Sequence, residues 1–240
     1  MHTSTRGICL HTIKYSDSSI IVHIYTEMFG RQVYLVKGVY GKRASIKANI
    51  FYPLNLLELE VQQKGSKELQ TIKEVRNFPV YSGIPFNASK NAIAVFISEI
   101  LYRSLREEMP NYPLFEFILN ALLVLDLETN IADFHLIFLI QLTKYIGFFP
   151  LNNYSQHDNY FDMLNGRFVK TKPNHIHYMN NDESAIFSSI LTKSFSDLGL
   201  ISITRNTRFS LLEKLVEYYT LHIDGFGKIK SLMILREIFG

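Results

Sequence analysis

The chain has 240 residues, of which 47% are hydrophobic and 20% are charged, so it can form two packed domains and is too apolar to be a disordered chain. The net charge is only +3, but residues 1–80 carry a balance of +5 and the remainder a balance of −2. This asymmetry predicts an anionic partner for the N-terminal part. Cys9 is the only cysteine, which excludes internal disulfides and a thiolate zinc site. We expect a cytoplasmic protein, because no signal peptide is visible and the longest apolar run, near Phe134–Ile146, is interrupted by polar residues.

Five segments near the N terminus have the composition and period-2 alternation of strands, and turn residues separate them. In the second segment Ile20, Val22 and Ile24 share one face, while His23 and Tyr25 lie on the other. The predicted strands are Gly7–Tyr15, Ser19–Thr26, Gly30–Val39, Leu54–Gln62 and Leu69–Val75. Five short strands with an open basic loop after the third predict a small five-stranded β-barrel of the OB type. An SH3-like barrel is the alternative, because strand order cannot be read from sequence.

Helical periodicity replaces the strand pattern after a linker that contains Pro79, Gly83 and Pro85. The predicted helices are Asn87–Met109, Tyr112–Leu127, Ile131–Ile146, Asp182–Phe195, Thr207–Ile223 and Ile229–Phe239. Ile131–Ile146 is apolar on most sides, which indicates a buried helix. An irregular insert at 152–180 contains Asn165-Gly166, a strong hairpin signal. The fold class is therefore α+β, with a barrel at 1–80 followed by a helical domain at 81–240.

The stretch Gly30–Lys47 combines a strand, a loop and a cluster of cations, and no acidic residue lies between Glu27 and Glu58. Cations beside aromatic rings suit single-stranded nucleic acid, because the cations follow phosphates and the rings stack on bases. The simpler alternative is a solvated edge strand that Lys and Arg protect from aggregation. The predicted DNA-binding residues here are Arg31, Tyr34, Lys37, Tyr40, Lys42, Arg43 and Lys47. A second, weaker basic patch is Lys228, Lys230 and Arg236.

No motif in the chain indicates catalysis. The segment Gly225-Phe226-Gly227 lacks the Lys and Ser/Thr of a phosphate-binding loop, and there is no Gly-x-Ser-x-Gly elbow. His175 and His177 could share a strand face as metal ligands do, but histidines in loops are more often polar surface. We therefore predict no catalytic residue, no metal and no cofactor. Two other classes stay open: an adaptor whose barrel and basic loop bind an acidic protein, and an enzyme whose site is scattered over loops.

Several short motifs occur in an order that resembles the RecO family of bacterial recombination mediators, over nearly the whole chain. In the first half these motifs are Arg6-Gly7-Ile8-Cys9-Leu10, Tyr15-Ser16-Asp17-Ser18, Tyr25-Thr26-Glu27, Phe29-Gly30-Arg31, Lys37-Gly38-Val39 and Leu57-Glu58-Leu59. In the second half they are Glu99-Ile100-Leu101-Tyr102, Tyr145-Ile146-Gly147-Phe148, Tyr218-Tyr219 with His222, and Gly225–Leu232.

The resemblance implies an OB-fold domain followed by a helical domain with a zinc-ribbon-like insert. It implies a nucleoid-associated mediator of homologous-recombination repair that binds single- and double-stranded DNA and anneals strands. The implied partners are RecR and the C-terminal tail of the single-strand-binding protein SSB, and the implied outcome is recombinase loading onto SSB-coated DNA. For the tail, the residues expected to surround an apolar slot near Ile131–Ile146 are Arg103, Arg106 and Lys144. The insert departs from many members because it has none of the four cysteines that hold zinc elsewhere, so we expect it to be metal-free.

Overall fold

The computed structural model describes residues 2–41, 44–62 and 69–239, so the predicted contacts Lys42 and Arg43 lie outside the described residues. Its N-terminal part is a five-stranded antiparallel sheet with strand order β3-β2-β1-β4-β5. The strands are β1 (His2–Lys14), β2 (Ile20–Thr26), β3 (Gly30–Val36), β4 (Leu56–Gln62) and β5 (Thr71–Asn77). All five predicted strands are present, and β3 ends three residues early because the chain turns at Gly38, which has φ +72°.

The sheet closes into a barrel through a contact between β3 and the start of β5. Tyr34 and Gln70 form a parallel bridge, in which the amide of Leu35 donates to the Gln70 carbonyl at 3.1 Å and the Gln70 amide donates to the Val33 carbonyl at 3.0 Å. The circular strand order is therefore 1-2-3-5-4, which is the order of an OB barrel and not of the SH3-like alternative.

The alternation read from the sequence determines which side chains fill the barrel. Ile20, Val22 and Ile24 of β2 are fully buried, and Leu57, Leu59 and Val61 of β4 are at most 1% exposed. A bulge between Cys9 and His11 bends β1, so its first half pairs with β4 and its second half with β2.

Two helices belong to the same compact unit as the barrel, which spans Met1–Leu127. They are α1 (Ala88–Ser104) and α2 (Tyr112–Leu127), and α1 ends five residues before the predicted Met109. The Ser98 hydroxyl of α1 donates to the Leu10 carbonyl of β1 at 2.5 Å. The domain boundary at residue 80, between a barrel at 1–80 and a helical domain at 81–240, remains a prediction.

The linker between β5 and α1 is held by one buried carboxylate of α2, Asp126. Its oxygens accept from the backbone amides of Ser82, Gly83 and Ile84 at 2.7–2.8 Å, and from the Ser82 hydroxyl. Burial raises the pKa of Asp126, but these hydrogen bonds together outweigh it and hold the pKa below its usual value.

The second compact unit, Glu128–Gly240, contains four helices and a small sheet within its described residues. These elements are α3 (Phe134–Tyr145), β6 (Tyr160–Asp162), β7 (Arg167–Val169), β8 (Tyr178–Met179), α4 (Asn181–Leu191), α5 (Arg205–His222) and α6 (Leu232–Phe239). The burial predicted for Ile131–Ile146 is confirmed over α3, because its apolar side chains from Phe134 to Leu142 are at most 1% exposed. None of the helices in the described part of the chain is long and apolar enough to cross a membrane.

The insert is a three-stranded sheet of order β7-β6-β8 built around a hairpin, as Asn165-Gly166 predicted. Asp162 holds the turn, because its carboxylate accepts from the amides of Leu164 and Asn165 at 3.0 and 3.1 Å. Gly166 has φ +63°, which favours glycine at that position. Phe161, Phe168 and Phe187 form the core of the insert.

Two of the three histidines of the insert, His175 and His177, each contact a carboxylate. His175 lies 3.3 Å from Asp162, and His177 lies 2.7 Å from Glu217. Over the residues that the structure describes, no group of three or more His, Cys, Asp or Glu side chains is arranged to hold a metal ion.

Candidate nucleic-acid interface

The outward face of β1, β2 and β3 carries an apolar row at the open end of the barrel. Ile13 pairs with Ile21 across β1 and β2, and Ile21 pairs with Leu35 across β2 and β3. Ile13 is 42% exposed, and the other two are half-buried. The sequence did not predict this row, because an isoleucine in a predicted strand can face either the core or the outside of a barrel.

Two exposed tyrosines and an exposed lysine follow this row along the chain, after β1 and after β3. The β1–β2 turn and the chain after β3 meet there, since the amide of Val39 donates to the Ser18 carbonyl at 3.0 Å. Tyr15 is 61% exposed and Tyr40 is 54% exposed, and Lys37 is exposed beside them. We call the apolar row together with Tyr15, Lys37 and Tyr40 the mouth. Its residue types are those that bind single-stranded nucleic acid.

Arg31 is not available as the predicted phosphate contact, because its guanidinium binds the C-terminal end of α1. It donates to the carbonyl oxygens of Tyr102 and Leu105 at 2.8 and 2.9 Å and lies over the Tyr102 ring at 4.4 Å. These carbonyls have no partner within the helix, and a cation at this end also favours the helix dipole. Arg31 therefore attaches the barrel to α1.

Tyr34 does not face the solvent as the stacking prediction required. Its ring is fully buried in the barrel core, among Val22 and Val36, and burial raises the pKa of its hydroxyl. Among the described residues the hydroxyl has no hydrogen-bond partner. The alternating pattern of β3 is compatible with burial of either face, and closure of the barrel buries the face that carries Tyr34.

A histidine pair lies one row below the apolar row, where exposed His11 and half-buried His23 contact α1. His11 pairs with His23, and the Tyr102 ring lies 4.5 and 5.1 Å from their two rings. Burial lowers the pKa of His23 to about 4, and the neighbouring charge of Arg31 contributes. The His23 ring is therefore neutral at physiological pH and adds no charge to the surface, and burial also lowers the pKa of His11.

The remaining predicted contacts are exposed but are not all in one place. Lys47 lies before a short 3-10 turn at Ala48–Phe51 and lines a shallow groove with Asn49 and Asn77. In the C-terminal unit, Lys228 and Lys230 are exposed on either side of buried Ile229. Arg236 of α6 is exposed, and its guanidinium lies 5.3 Å from the Phe209 ring.

The apolar side chains of α3 from Phe134 to Leu142 are buried, so they form no open slot for a partner tail. The Arg103 guanidinium lies 3.6 Å from Glu99, Arg106 donates to the Arg103 carbonyl at 3.3 Å, and Lys144 lies over the Phe149 ring at 4.6 Å. A small pocket that sequence reasoning missed lies elsewhere in the C-terminal unit. It is lined by Phe209, Leu212, Leu235 and Phe239, together with His135, Arg205 and Arg208.

Comparisons with known proteins agree with this architecture. Residues 1–78 match the family model described as Recombination protein O N terminal, and residues 85–233 match that described as Recombination protein O C terminal. The DNA repair protein RecO of Bacteroides fragilis is 39% identical over 242 residues, which cover 100% of both chains. Those of Azobacteroides pseudotrichonymphae and Flavobacterium psychrophilum are 37% and 36% identical, covering 98% and 100% of both chains. The chain therefore belongs to the RecO family, whose role is DNA repair and recombination.

Proposed function

We propose that the protein is a non-enzymatic DNA-binding mediator of homologous recombination and that the mouth of its barrel binds single-stranded DNA. The observation that supports this most directly is the outward apolar row Ile13, Ile21 and Leu35, with exposed Ile13, followed along the chain by exposed Tyr15, Lys37 and Tyr40. Family membership supports the DNA repair role, and the proposal adds the strand type and the site. It requires no metal and no cofactor.

The chemistry of the mouth suits bases of any sequence. Every base has a π-face, so stacking on Tyr15 or Tyr40 requires no particular sequence, and each stacked base contributes about 1–3 kcal/mol. Lys37 and Lys47 would contact phosphates, which carry no direct sequence information. The loop residues Lys42 and Arg43 remain proposed contacts on sequence grounds.

Annealing and binding of duplex DNA require a second DNA contact on the same protein. Lys228, Lys230 and Arg236 are exposed on the C-terminal unit and are the proposed second contact. With one strand at the mouth and another at this patch, one protein molecule would hold two strands. Changing these three residues to Ala should slow annealing of complementary oligonucleotides more than it weakens binding of a single strand.

The site is tested by a titration with an oligodeoxythymidylate at several salt concentrations. Tyr15→Ala with Tyr40→Ala should weaken binding by at least about fivefold, since at least one stacked base is lost. Tyr52→Ala is the matched control, because Tyr52 is an equally exposed tyrosine of the barrel outside the mouth. Unchanged binding in the double variant would remove the mouth as the DNA site.

The basic loop is tested by changing Lys42, Arg43 and Lys47 to Ala. Each lost phosphate contact should flatten the slope of log affinity against log salt by about 0.7, so the triple variant should flatten it by up to about 2. The variant should stay folded, because exposed cations contribute little to stability. If DNA binding shows almost no salt dependence while an acidic protein binds tightly, the adaptor alternative is correct instead.

We also propose that the C-terminal unit binds the acidic, apolar tail of the single-strand-binding protein, and that RecR is a further partner in recombinase loading. A tail of this kind needs an apolar slot and a cation for its terminal carboxylate. The pocket beside Phe209 and Leu235 has both, because Arg205 and Arg208 line it. The proposed carboxylate contacts are Arg205 and Arg208, of which Arg208 also donates to Asp133 at 2.7 Å.

Tail-peptide binding to charge-reversal variants separates the candidate cations. Arg205→Glu should abolish binding of the peptide, whereas Lys144→Glu, Arg103→Glu and Arg106→Glu should have smaller effects. A larger loss of peptide binding in any of those three variants would instead indicate that the tail binds at the residues predicted from sequence.

A further inference from the structure

The insert contains a stretch of chain, residues 163–181, with three cations and no acidic residue. The cations Arg167, Lys170 and Lys172 are all exposed, in β7 and in the chain that follows it. The structure gives none of them a carboxylate partner among the described residues. Three other cations of the same unit do form ion pairs, at 2.7–3.5 Å, and these are Lys193, Arg208 and Lys214. The insert therefore presents positive charge that no neighbouring carboxylate balances.

Two tyrosine rings lie on the outer face of the small sheet, beside these cations. The inner face consists of buried side chains such as Phe161 and Phe168, so the alternation of the strands places Tyr160 and Tyr178 on the other side. The two tyrosines are half-buried, and their ring centres lie 6.2 Å apart in an edge-to-face arrangement. The ammonium of Lys172 lies 5.3 Å from the centre of the Tyr178 ring. We call Tyr160, Arg167, Lys170, Lys172 and Tyr178 the insert face.

The carboxylates beside the insert face are bound by other groups. Asp162 is 7% exposed, accepts from two amides of the hairpin turn and lies 3.3 Å from His175. Glu217 of α5 contacts His177 at 2.7 Å and Lys214 at 3.5 Å. Since both carboxylates already have donors within this unit, neither pairs with the cations of the insert face.

We propose that the insert face binds single-stranded DNA, with its three cations on phosphates and its tyrosine rings against a base. This inference rests on the proposed DNA-binding function but does not depend on the mouth. The chain from residue 167 to residue 172 spans at most about 18 Å, so its cations can contact neighbouring phosphates of one strand. An acidic polypeptide would also match the charge, but the paired rings favour nucleic acid, because bases stack on aromatic side chains.

Arg167→Ala with Lys170→Ala tests the phosphate contacts and leaves Lys172 against Tyr178. In titrations of the full-length protein with an oligodeoxythymidylate, the slope of log affinity against log salt should flatten by about 1.4, which is 0.7 for each lost contact. Lys73→Ala with Arg76→Ala is the matched control, because it removes the same two residue types from exposed positions on β5, where each binds a carboxylate of β4. The control should keep the parent slope, and equal slopes for the two double variants would overturn the inference.

Photo-crosslinking of the full-length protein to an iodouracil-substituted oligonucleotide locates the contact. Crosslinked peptides should include Tyr160 or Tyr178, and these crosslinks should be lost in the variant of Arg167 and Lys170. If the parent protein binds DNA but crosslinks only at other peptides, the inference is wrong while the proposed function stands. If the variant loses binding of polyglutamate and keeps binding of DNA, the insert face binds an acidic protein instead. If the parent protein binds no oligonucleotide, the proposed function fails, and this inference with it.

Discussion

A cationic side chain lies at each end of β3, and one of the two contacts a helix whereas the other is exposed to solvent. At its start, Arg31 donates to the carbonyls of α1 and lies against Tyr102. Just beyond its end, Lys37 is exposed beside the mouth. One end is docked to a helix and the other is open, although the sequence shows only a basic strand. A cation in such a strand therefore indicates a nucleic-acid contact only where no helix end lies within its reach.

Arg31→Ala should cause the largest loss of stability. The substitution removes the hydrogen bonds of the guanidinium to the Tyr102 and Leu105 carbonyls and its contact with the His23 ring. Two carbonyl oxygens then lose this donor, so we expect the free energy of unfolding to fall by about 3 kcal/mol. Urea denaturation measures this change. Lys37→Ala should change the same quantity by less than about 0.5 kcal/mol. Equal stabilities of the two variants would contradict the difference between the two ends.

Gly30→Ala should be the second most damaging change. Gly30 has φ +62° and its missing side chain makes room for the Met109 carbonyl, so we expect a loss of about 2–3 kcal/mol. Gly38→Ala is the control, because Gly38 has φ +72° but no atom lies within 4 Å of an added Cβ. Gly38→Ala should cost about 1 kcal/mol, which is the backbone strain alone. The difference between the two variants, from thermal or urea unfolding, measures the close contact between Gly30 and the Met109 carbonyl.

Lowering the pH should reduce the free energy of unfolding through protonation of His23. Burial first, then Arg31 and His11, lower the pKa of His23 to about 4, whereas the unfolded chain binds a proton near pH 6.5. The stabilisation is therefore fully present above pH 6.5 and is lost as the pH falls from 6.5 towards 4. Because the ring is partly exposed, we expect a loss of only about 1 kcal/mol.

His23→Gln should remove that part of the pH dependence of the unfolding free energy between pH 7 and 4.5. His157→Gln, at an exposed position outside the cluster, serves as the control. Identical pH profiles for the His23 variant and the parent protein would show that the ring is not buried in solution as it is in the structure.

Lys37→Ala should have the smallest effect and should act on DNA alone. The loss of one phosphate contact should flatten the salt slope for an oligodeoxythymidylate by about 0.7, without a change in the urea midpoint. An unaltered slope would mean that the open end of β3 is only a solvated edge.

The sequence by itself determined the element types and the family. The five strands, the buried third helix and the hairpin at Asn165-Gly166 follow from periodicity and turn residues, which act over a few positions of the chain. The order of short motifs was sufficient to indicate the RecO family, and the family models confirm it.

Only the tertiary structure decided which of the predicted site residues face the solvent. Arg31 is 71 and 74 residues from the two carbonyls that it binds, and the contact that closes the barrel joins Tyr34 to Gln70. Burial of Tyr34, the early end of α1 and the open row at the mouth all depend on such distant contacts. Local periodicity cannot determine them, because it shows that a strand has two faces but not which face another element covers.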